Sequence, residues 1–266
     1  MNSMTVHAVA DLRRWVRAGI DLAFPPICVF CGENVPVIDC EQSSGFRSTS
    51  ESAVVCDGCN DSLTPESAAH CQRCGAVVGP HVSTGKGCIH CRTKPIRFDS
   101  LICLGMYNDA LRNAILSAKW SFSSVTVETL AALLWQHRQE ELIDSAADLI
   151  IPIPQSHRKR LTRTFNAASL IATVLSRRLG IPADEHILRR RRATRPQKRV
   201  SVRQRYANQR DSFRTRDTHL VAGKRILLVD DVLTTGATCS EAARVLKAHK
   251  AKLCRAVVLA RVLSAT

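Results

Sequence analysis

The chain predicts an α/β fold on a parallel sheet, with a small cysteine-rich module before it, and three observations lead there. Two short apolar runs, 149–153 and 226–229, are too brief for helices and rich in β-branched residues, as strands buried on both faces are. Each run passes through a polar loop into a helical pattern, the alternation that builds a parallel sheet flanked by helices. Finally, eight of the twelve cysteines form C-x-x-C pairs, all between Cys28 and Cys91.

In chain order, Val6, Val9, Leu12, Trp15, Val16, Ile20 and Leu22 recur at roughly helical spacing, with Arg13, Arg14 and Arg17 elsewhere on the surface. This predicts an amphipathic helix within 1–24, packed on its own domain rather than on a membrane surface, and ended by Pro25 and Pro26. The pairs Cys28/Cys31, Cys56/Cys59, Cys71/Cys74 and Cys88/Cys91 follow. Two C-x-x-C turns present four thiolates to one tetrahedral zinc ion, so sequential pairing gives one ribbon from the first two pairs and another from the last two. We expect two structural Zn²⁺ ions in a double zinc ribbon over 25–95, with Gly32, Gly58 and Gly75 at the tight turns. A redox dithiol role is the rival, but it lacks a βαβ context here. His70 and His90 adjoin the ligands as bystanders, and Cys40, Cys103, Cys239 and Cys254 are expected to be small buried residues. The Ser/Thr-rich stretch 41–52 reads as a loop inserted in the first ribbon.

A domain over 96–266 begins with a strand-like run at 98–107 and helical patterns at 111–119 and 126–138, leading to the 149–153 strand. Its exit loop carries His157, Arg158, Lys159, Arg160 and Arg163, suited to gripping a polyanion, and a helix begins near Asn166. The arginine-dense span 189–216, with Gln197, Lys198 and Arg203, is too polar to pack into a core. It reads as a mobile lid, as a phosphate-tracking arm for single-stranded DNA, or as a solvated loop.

The stretch RILLVDDVLTTGAT, 225–238, organises the rest. Open parallel sheets bind ligands at the carboxyl ends of their strands, and a helix N-terminus favours an anion. Thr234, Thr235, Gly236, Ala237 and Thr238 make a hydroxyl-bearing turn for a phosphate, while Asp230 and Asp231 repel phosphate and must face ribose hydroxyls or a divalent cation. Together they describe a ligand with a diol at one end and a phosphate at the other. No G-x-x-x-x-G-K occurs, and no G-x-G-x-x-G follows a strand, so neither a P-loop nor a dinucleotide fold is predicted.

The string LLVDDVLTTGAT resembles the signature of the type I phosphoribosyltransferases, which bind 5-phosphoribosyl 1-pyrophosphate (PRPP). The arrangement as a whole resembles the ComF/GntX family. There a LAFPP-x-C lead, here from Leu22 to Cys28, opens a zinc module joined to a PRPP-binding domain. Arg163, Phe165 and Asn166 match that family's basic segment, while Thr164 and Ala167 replace its glycine and glutamine. The resemblance implies a type I phosphoribosyltransferase fold with PRPP and Mg²⁺ as ligands. It implies catalytic Asp230 and Asp231 on the ribose, Thr234 to Thr238 on the 5-phosphate, Arg158 and Lys159 on pyrophosphate, and a lid with Gln197, Lys198 and Arg203. It also implies a link to competence and DNA uptake, with single-stranded DNA and DNA-uptake proteins as partners.

The expected reaction is phosphoribosyl transfer from PRPP to a nitrogen acceptor, with a non-catalytic PRPP-binding or DNA-binding factor as the alternative and a zinc-ribbon scaffold with a vestigial transferase as a weaker third reading. A net charge of +15 suits polyanionic ligands generally. No apolar run reaches the ~20 residues of a membrane span, and no signal peptide is evident, so a cytoplasmic protein is expected.

Overall fold

The computed structural model describes residues 15–16, 19, 23–35, 54–64, 69–79, 82, 87–120, 123–155, 165–191, 201–216 and 218–263. Of the expected N-terminal helix within 1–24, only Trp15, Val16, Gly19, Ala23 and Phe24 fall among them, the first four helical and Phe24 a bend, and the 41–52 stretch lies outside them. Contacts divide the chain into two compact units between Asp61 and Ser62. That boundary separates the two cysteine quartets, which the sequence pattern groups together.

In the first unit the Cys28–Cys31 segment is a tight turn. The Cys28 N–H donates to Glu33 O at 2.8 Å and the Gly32 N–H to Cys28 O at 2.9 Å, with Gly32 at a φ of 77°. The Val29 N–H donates to Val54 O at 3.0 Å, which holds this turn beside the approach to the second pair. Cys56 and Cys59 straddle the start of helix α1 (Asp57–Leu63). Gly58 therefore sits in a helical turn and not in the positive-φ knuckle expected for it.

The second unit holds a four-stranded parallel sheet in the order β1 (Ser100–Met106), β6 (Leu253–Arg261), β5 (Arg225–Leu233), β2 (Leu149–Pro152). Between β1 and β2 come helices α2 (Asp109–Trp120) and α3 (Ser124–Asp144), and after β2 comes α4 (Ala167–Leu179). The α3 helix outruns its expected span, with non-helical geometry at Arg138, whose Nε donates to Cys103 O at 3.0 Å. Side chains alternate across a strand. Thus Ile151, Ile226, Leu228 and Val258 join one core cluster with Ala242 and Leu246 of helix α6 (Ala237–Ala248). The second quartet, Cys71, Cys74, Cys88 and Cys91, is buried in that same cluster. Cys103, Cys239 and Cys254 are buried as expected.

The arginine-dense span is not one continuous loop. β3 (Leu188–Arg190) pairs antiparallel with β4 (Phe213–Thr215), and helix α5 (Val202–Gln209) lies between them. Composition misses this because the order is local. Ser201 and Gln204 form a capping box at the start of α5, satisfying helix N–H groups that no core contact would. Gln197 and Lys198 lie outside the described residues, and Arg203 is exposed on α5. At the far end of the span, buried Glu241 accepts the Asp211 N–H at 2.7 Å and two donors from Arg244, at 2.8 and 2.7 Å. This ties the span's return to α6. The Glu241 carboxylate at Arg244 pushes the guanidinium's pKa up.

Among the described residues, no helix is long and apolar enough to cross a membrane.

Candidate functional site

Strand β5 does not stop at Val229. It pairs with β6 through both acids, so that Asp230 faces Val258, Val232 faces Ala260 and Leu233 faces Arg261. The two carboxylates are consequently held by sheet hydrogen bonding on adjacent residues, which point to opposite faces. Each is half-buried, and each turns an oxygen back to the strand: the Asp231 N–H donates to Asp230 Oδ1 at 2.9 Å and the Val232 N–H to Asp231 Oδ1 at 2.8 Å. Cys239 is fully buried behind them. Desolvation, reinforced by Asp230 and Asp231, pushes its thiol pKa well up, so it stands there as a neutral group.

The turn from β5 into α6 is shaped by Gly236, which caps the helix at φ 83° and ψ 4° with no side-chain cap. A Cβ there would lie 3.5 Å from Phe98 Cε1 and 3.6 Å from Tyr206 Oη, ordinary contacts, so the left-handed backbone rather than space requires glycine. The cap residue of α6 therefore takes up none of its first-turn N–H groups with a side chain, a helix start suited to addressing an anion. Thr234 is exposed and Thr238 half-buried, whereas Thr235 is buried and occupied within the turn. Its Oγ1 accepts the Ala237 N–H at 3.4 Å, and its carbonyl accepts the Tyr206 hydroxyl at 3.0 Å. Tyr206 thus fastens α5 to the turn. Burial pushes its phenol pKa up, which keeps the donor proton in place. Arg158 and Lys159, expected at the pyrophosphate, lie outside the described residues, but the helix after their loop starts where expected. Asn166 caps α4, accepting the Ala168 N–H at 3.3 Å and donating to Ile153 O at 3.2 Å.

The cysteines assemble as the sequential pairing requires, into Cys28/Cys31/Cys56/Cys59 and Cys71/Cys74/Cys88/Cys91. Sulfur separations are 3.7 Å for Cys31–Cys56, 3.8 Å for Cys71–Cys91 and 3.6 Å for Cys74–Cys88. A tetrahedral ion with Zn–S bonds of about 2.3 Å places its sulfurs about 3.8 Å apart. Both quartets fit structural zinc, and the spacings are far beyond the ~2.05 Å of a disulfide. Neither histidine joins them, and His70 instead lies 3.8 Å from Glu141. Burial raises the Cys28 thiol, but N–H groups of Cys31, Cys56 and Phe30 outweigh it and lower its pKa to about 7. Burial prevails at Cys59 of the same quartet and pushes that thiol up. One thiol near neutrality beside others raised by burial and mutual repulsion is a set that a divalent cation relieves.

Sequence reasoning passed over Arg261, the last residue of β6. It is only 1% exposed, and its Nε donates to Cys74 O at 2.7 Å. Its Nη1 donates to Leu233 O at 3.1 Å and also to the carbonyls of Thr234 and Val262. One guanidinium thereby joins the second cysteine quartet to the phosphate-type turn. The available signal was a charge closing an apolar strand, an expensive placement unless the fork is fully bonded. Tyr206 was missed likewise, an aromatic among arginines.

Comparison with known proteins agrees with this geometry. The family described as "Phosphoribosyl transferase domain" matches residues 166–266. Competence protein F of Haemophilus influenzae is 29% identical over 199 residues, covering 73% of this chain and 84% of that protein. DNA utilization protein YhgH of Escherichia coli (strain K12) is 31% identical over 196 residues, with 73% and 84% covered. Its counterpart in Salmonella typhi is 30% identical over 200 residues, with the same coverage. With a parallel sheet, an acid pair running into a glycine-capped turn and two four-cysteine sites, the chain belongs to the ComF/GntX family.

Proposed function

We propose that this protein binds PRPP with Mg²⁺ and transfers its 5-phosphoribosyl group to a nitrogen nucleophile, releasing pyrophosphate. The observation that carries the reading is the continuity of β5, which holds Asp230 and Asp231 beside a turn whose helix-capping residue, Gly236, has no side chain to occupy the helix start. The turn 234–238 receives the 5-phosphate on first-turn N–H groups and the hydroxyls of Thr234 and Thr238. Asp230 and Asp231 accept hydrogen bonds from the ribose hydroxyls and fix the ring.

In the reaction, the C1–O bond breaks with its electron pair leaving on pyrophosphate. A nitrogen lone pair forms the new C1–N bond, and the displaced N–H proton passes to the departing pyrophosphate. Positive charge develops on the ring as the bond breaks, and the two carboxylates favour it electrostatically. Arg158 and Lys159 would hold the pyrophosphate, and bound Mg²⁺ would supply further charge neutralisation there. The α5 segment, fastened through Tyr206, is the root of a lid that excludes water from the cation.

Calorimetry with ribose 5-phosphate and with PRPP and Mg²⁺ tests this directly. Asp230→Asn/Asp231→Asn is expected to weaken both ligands by about 10–100-fold, the loss of charge-assisted bonds. Equal affinity in parent and variant would remove the carboxylates from the site.

A second reading is DNA binding in DNA uptake, by the protein alone or with DNA-uptake proteins. It is favoured by the relatives' names, "Competence protein F" and "DNA utilization protein YhgH", and by the run Arg189 to Arg192. Single-stranded DNA should then shift in gels with an affinity that falls steeply with salt, and neutralising the run should flatten that dependence. An unchanged salt slope would take the run out of any DNA interface.

A further inference from the structure

The turn between β5 and α6 holds Gly236 at a left-handed φ of 83° with no side-chain cap, so its shape is not one that the local chain enforces. A phosphate site made of backbone N–H groups is effective only when that backbone is already in place, because ordering it at the moment of binding subtracts from affinity. The shape must therefore be imposed from outside. Tyr206 does so from α5. A second set of ties comes from the Cys71/Cys74/Cys88/Cys91 quartet, in the same unit.

Arg261 is the strongest of them. Its Nε holds Cys74 O at 2.7 Å while its Nη1 donates to Leu233 O at 3.1 Å and to Thr234 O, so one planar fork spans a cysteine ligand's carbonyl and the first carbonyl of the turn. At 1% exposure it has no alternative in solvent. The chain leaving Cys91 adds two more ties. The Arg97 N–H donates to Ser240 Oγ at 3.4 Å in the first turn of α6, and buried Phe98 packs at Gly236, where an added Cβ would stand 3.5 Å from Cε1. The quartet is itself seated on the sheet, since the Leu101 N–H of β1 donates to Gln72 O at 2.8 Å. Burial pushes the Tyr206 phenol up, while Arg261 and Arg73, which lies between Cys71 and Cys74, act in the opposite direction, so both cations stand near the turn's anchor.

We propose that Arg261 is a positioning residue for the 5-phosphate turn, and that through it metal held by the second quartet and phosphate held at 234–238 strengthen each other's binding. With the four sulfurs drawn together on an ion, Cys74 O is fixed and the fork has one orientation. With the quartet open, Cys74 O shifts, and the carbonyls of Leu233 and Thr234 lose a donor fixed in place. The turn must then order itself on the ligand, and affinity falls. Linkage makes the effect reciprocal, so bound phosphate holds the metal more tightly by the same factor. Metal at the second quartet thereby becomes a control on donor binding and not only a staple of the fold. The identity of the ligand rests on the PRPP reading; the coupling of turn to quartet does not.

The full chain loaded with zinc at both quartets is mixed with a chromogenic chelator, with and without saturating ribose 5-phosphate. One of the two ions should leave at least about fivefold more slowly with the sugar phosphate present, and the other should be slowed by less than about twofold. Arg261→Lys, measured at equal fractional saturation so that general stabilisation by the ligand is matched, should reduce the larger effect to less than about twofold. No slowing at saturation, equal slowing of both ions, or slowing that survives Arg261→Lys would overturn the proposal. Failure of the parent to bind ribose 5-phosphate would instead count against the PRPP reading. Hydrogen exchange on the parent, which needs neither ligand nor variant, then decides the coupling. Removing zinc should speed exchange across 233–240 by a larger factor than across 126–134 of α3. Equal factors would overturn it, because the metal would then act only through the stability of the whole unit.

Discussion

Replacing Arg261 with methionine is expected to lower the stability of the second unit by about 3–5 kcal/mol, because several carbonyls satisfied by one guanidinium are left without that donor. For a unit of this size that corresponds to a fall of roughly 6–20 °C in melting temperature. The reason lies in what the side chain leaves behind. The buried carbonyl of Cys74 would lose this donor, as would the partly buried carbonyls of Thr234 and Val262, and Leu233 O would keep only the Val262 N–H, at 2.8 Å. Two further effects separate this from simple unfolding. Four thiolates around Zn²⁺ carry about two net negative charges, with Arg261 and Lys94 beside them. The Lys94 pKa, lowered first by burial and then by Arg261, is drawn back up by Cys74, Cys91 and Cys88. Arg261→Met should therefore release zinc to a chelator faster than the parent does. Arg261→Lys keeps the charge but not the fork, so it should retain zinc while weakening ribose 5-phosphate, as the turn loses its support. Zinc retention and ligand affinity that change together in both variants would mean that Arg261 acts only through global stability.

The second large effect concerns the metal sites, which are alike in sequence and unlike in context. Cys74 is buried within the core cluster of the sheet, whereas Cys31 is exposed in the first unit. Cys74→Ser should remove about one zinc of two and cost several kcal/mol, because metal binding energy at a site absent from the unfolded chain is folding energy. Melting of the whole second unit should fall with it. Cys31→Ser should also remove about one zinc, yet leave the second unit's melting and its ribose 5-phosphate affinity near the parent values. Metal analysis with calorimetric melting distinguishes the two. Equal destabilisation of the second unit by both variants would show that the quartets are energetically one module.

That contrast marks the limit of what spacing conveys. The cysteine pairs announced two tetrahedral sites because two C-x-x-C segments suffice to define one, and their sequential pairing is what forms. Nothing in the spacing says that one quartet joins the sheet's core while the other falls in a separate unit. That depends on residues such as Gly75, at φ 69°, where a Cβ would stand 2.7 Å from Leu101 Cδ2. The acid pair and its turn were equally legible, because an apolar run, two carboxylates and a glycine-bearing threonine turn are contiguous in the chain. The strand's true length was not. Half-buried Asp230 and Asp231 break the apolar pattern although β6 still pairs with them, since hydrogen bonding along a ladder is indifferent to side-chain polarity.

The sequence by itself determined the α/β class, the two four-cysteine sites and the acid–threonine stretch, all of which rest on local spacing. Only the tertiary structure decided that Arg261 ties a cysteine carbonyl to the phosphate-type turn and that Tyr206 fastens the arginine-rich span to the same turn. Each of these joins residues far apart in the chain through a polar group whose partner is set by how strands and helices stack. A single charged or aromatic letter looks the same whether it faces solvent or closes a buried hydrogen bond.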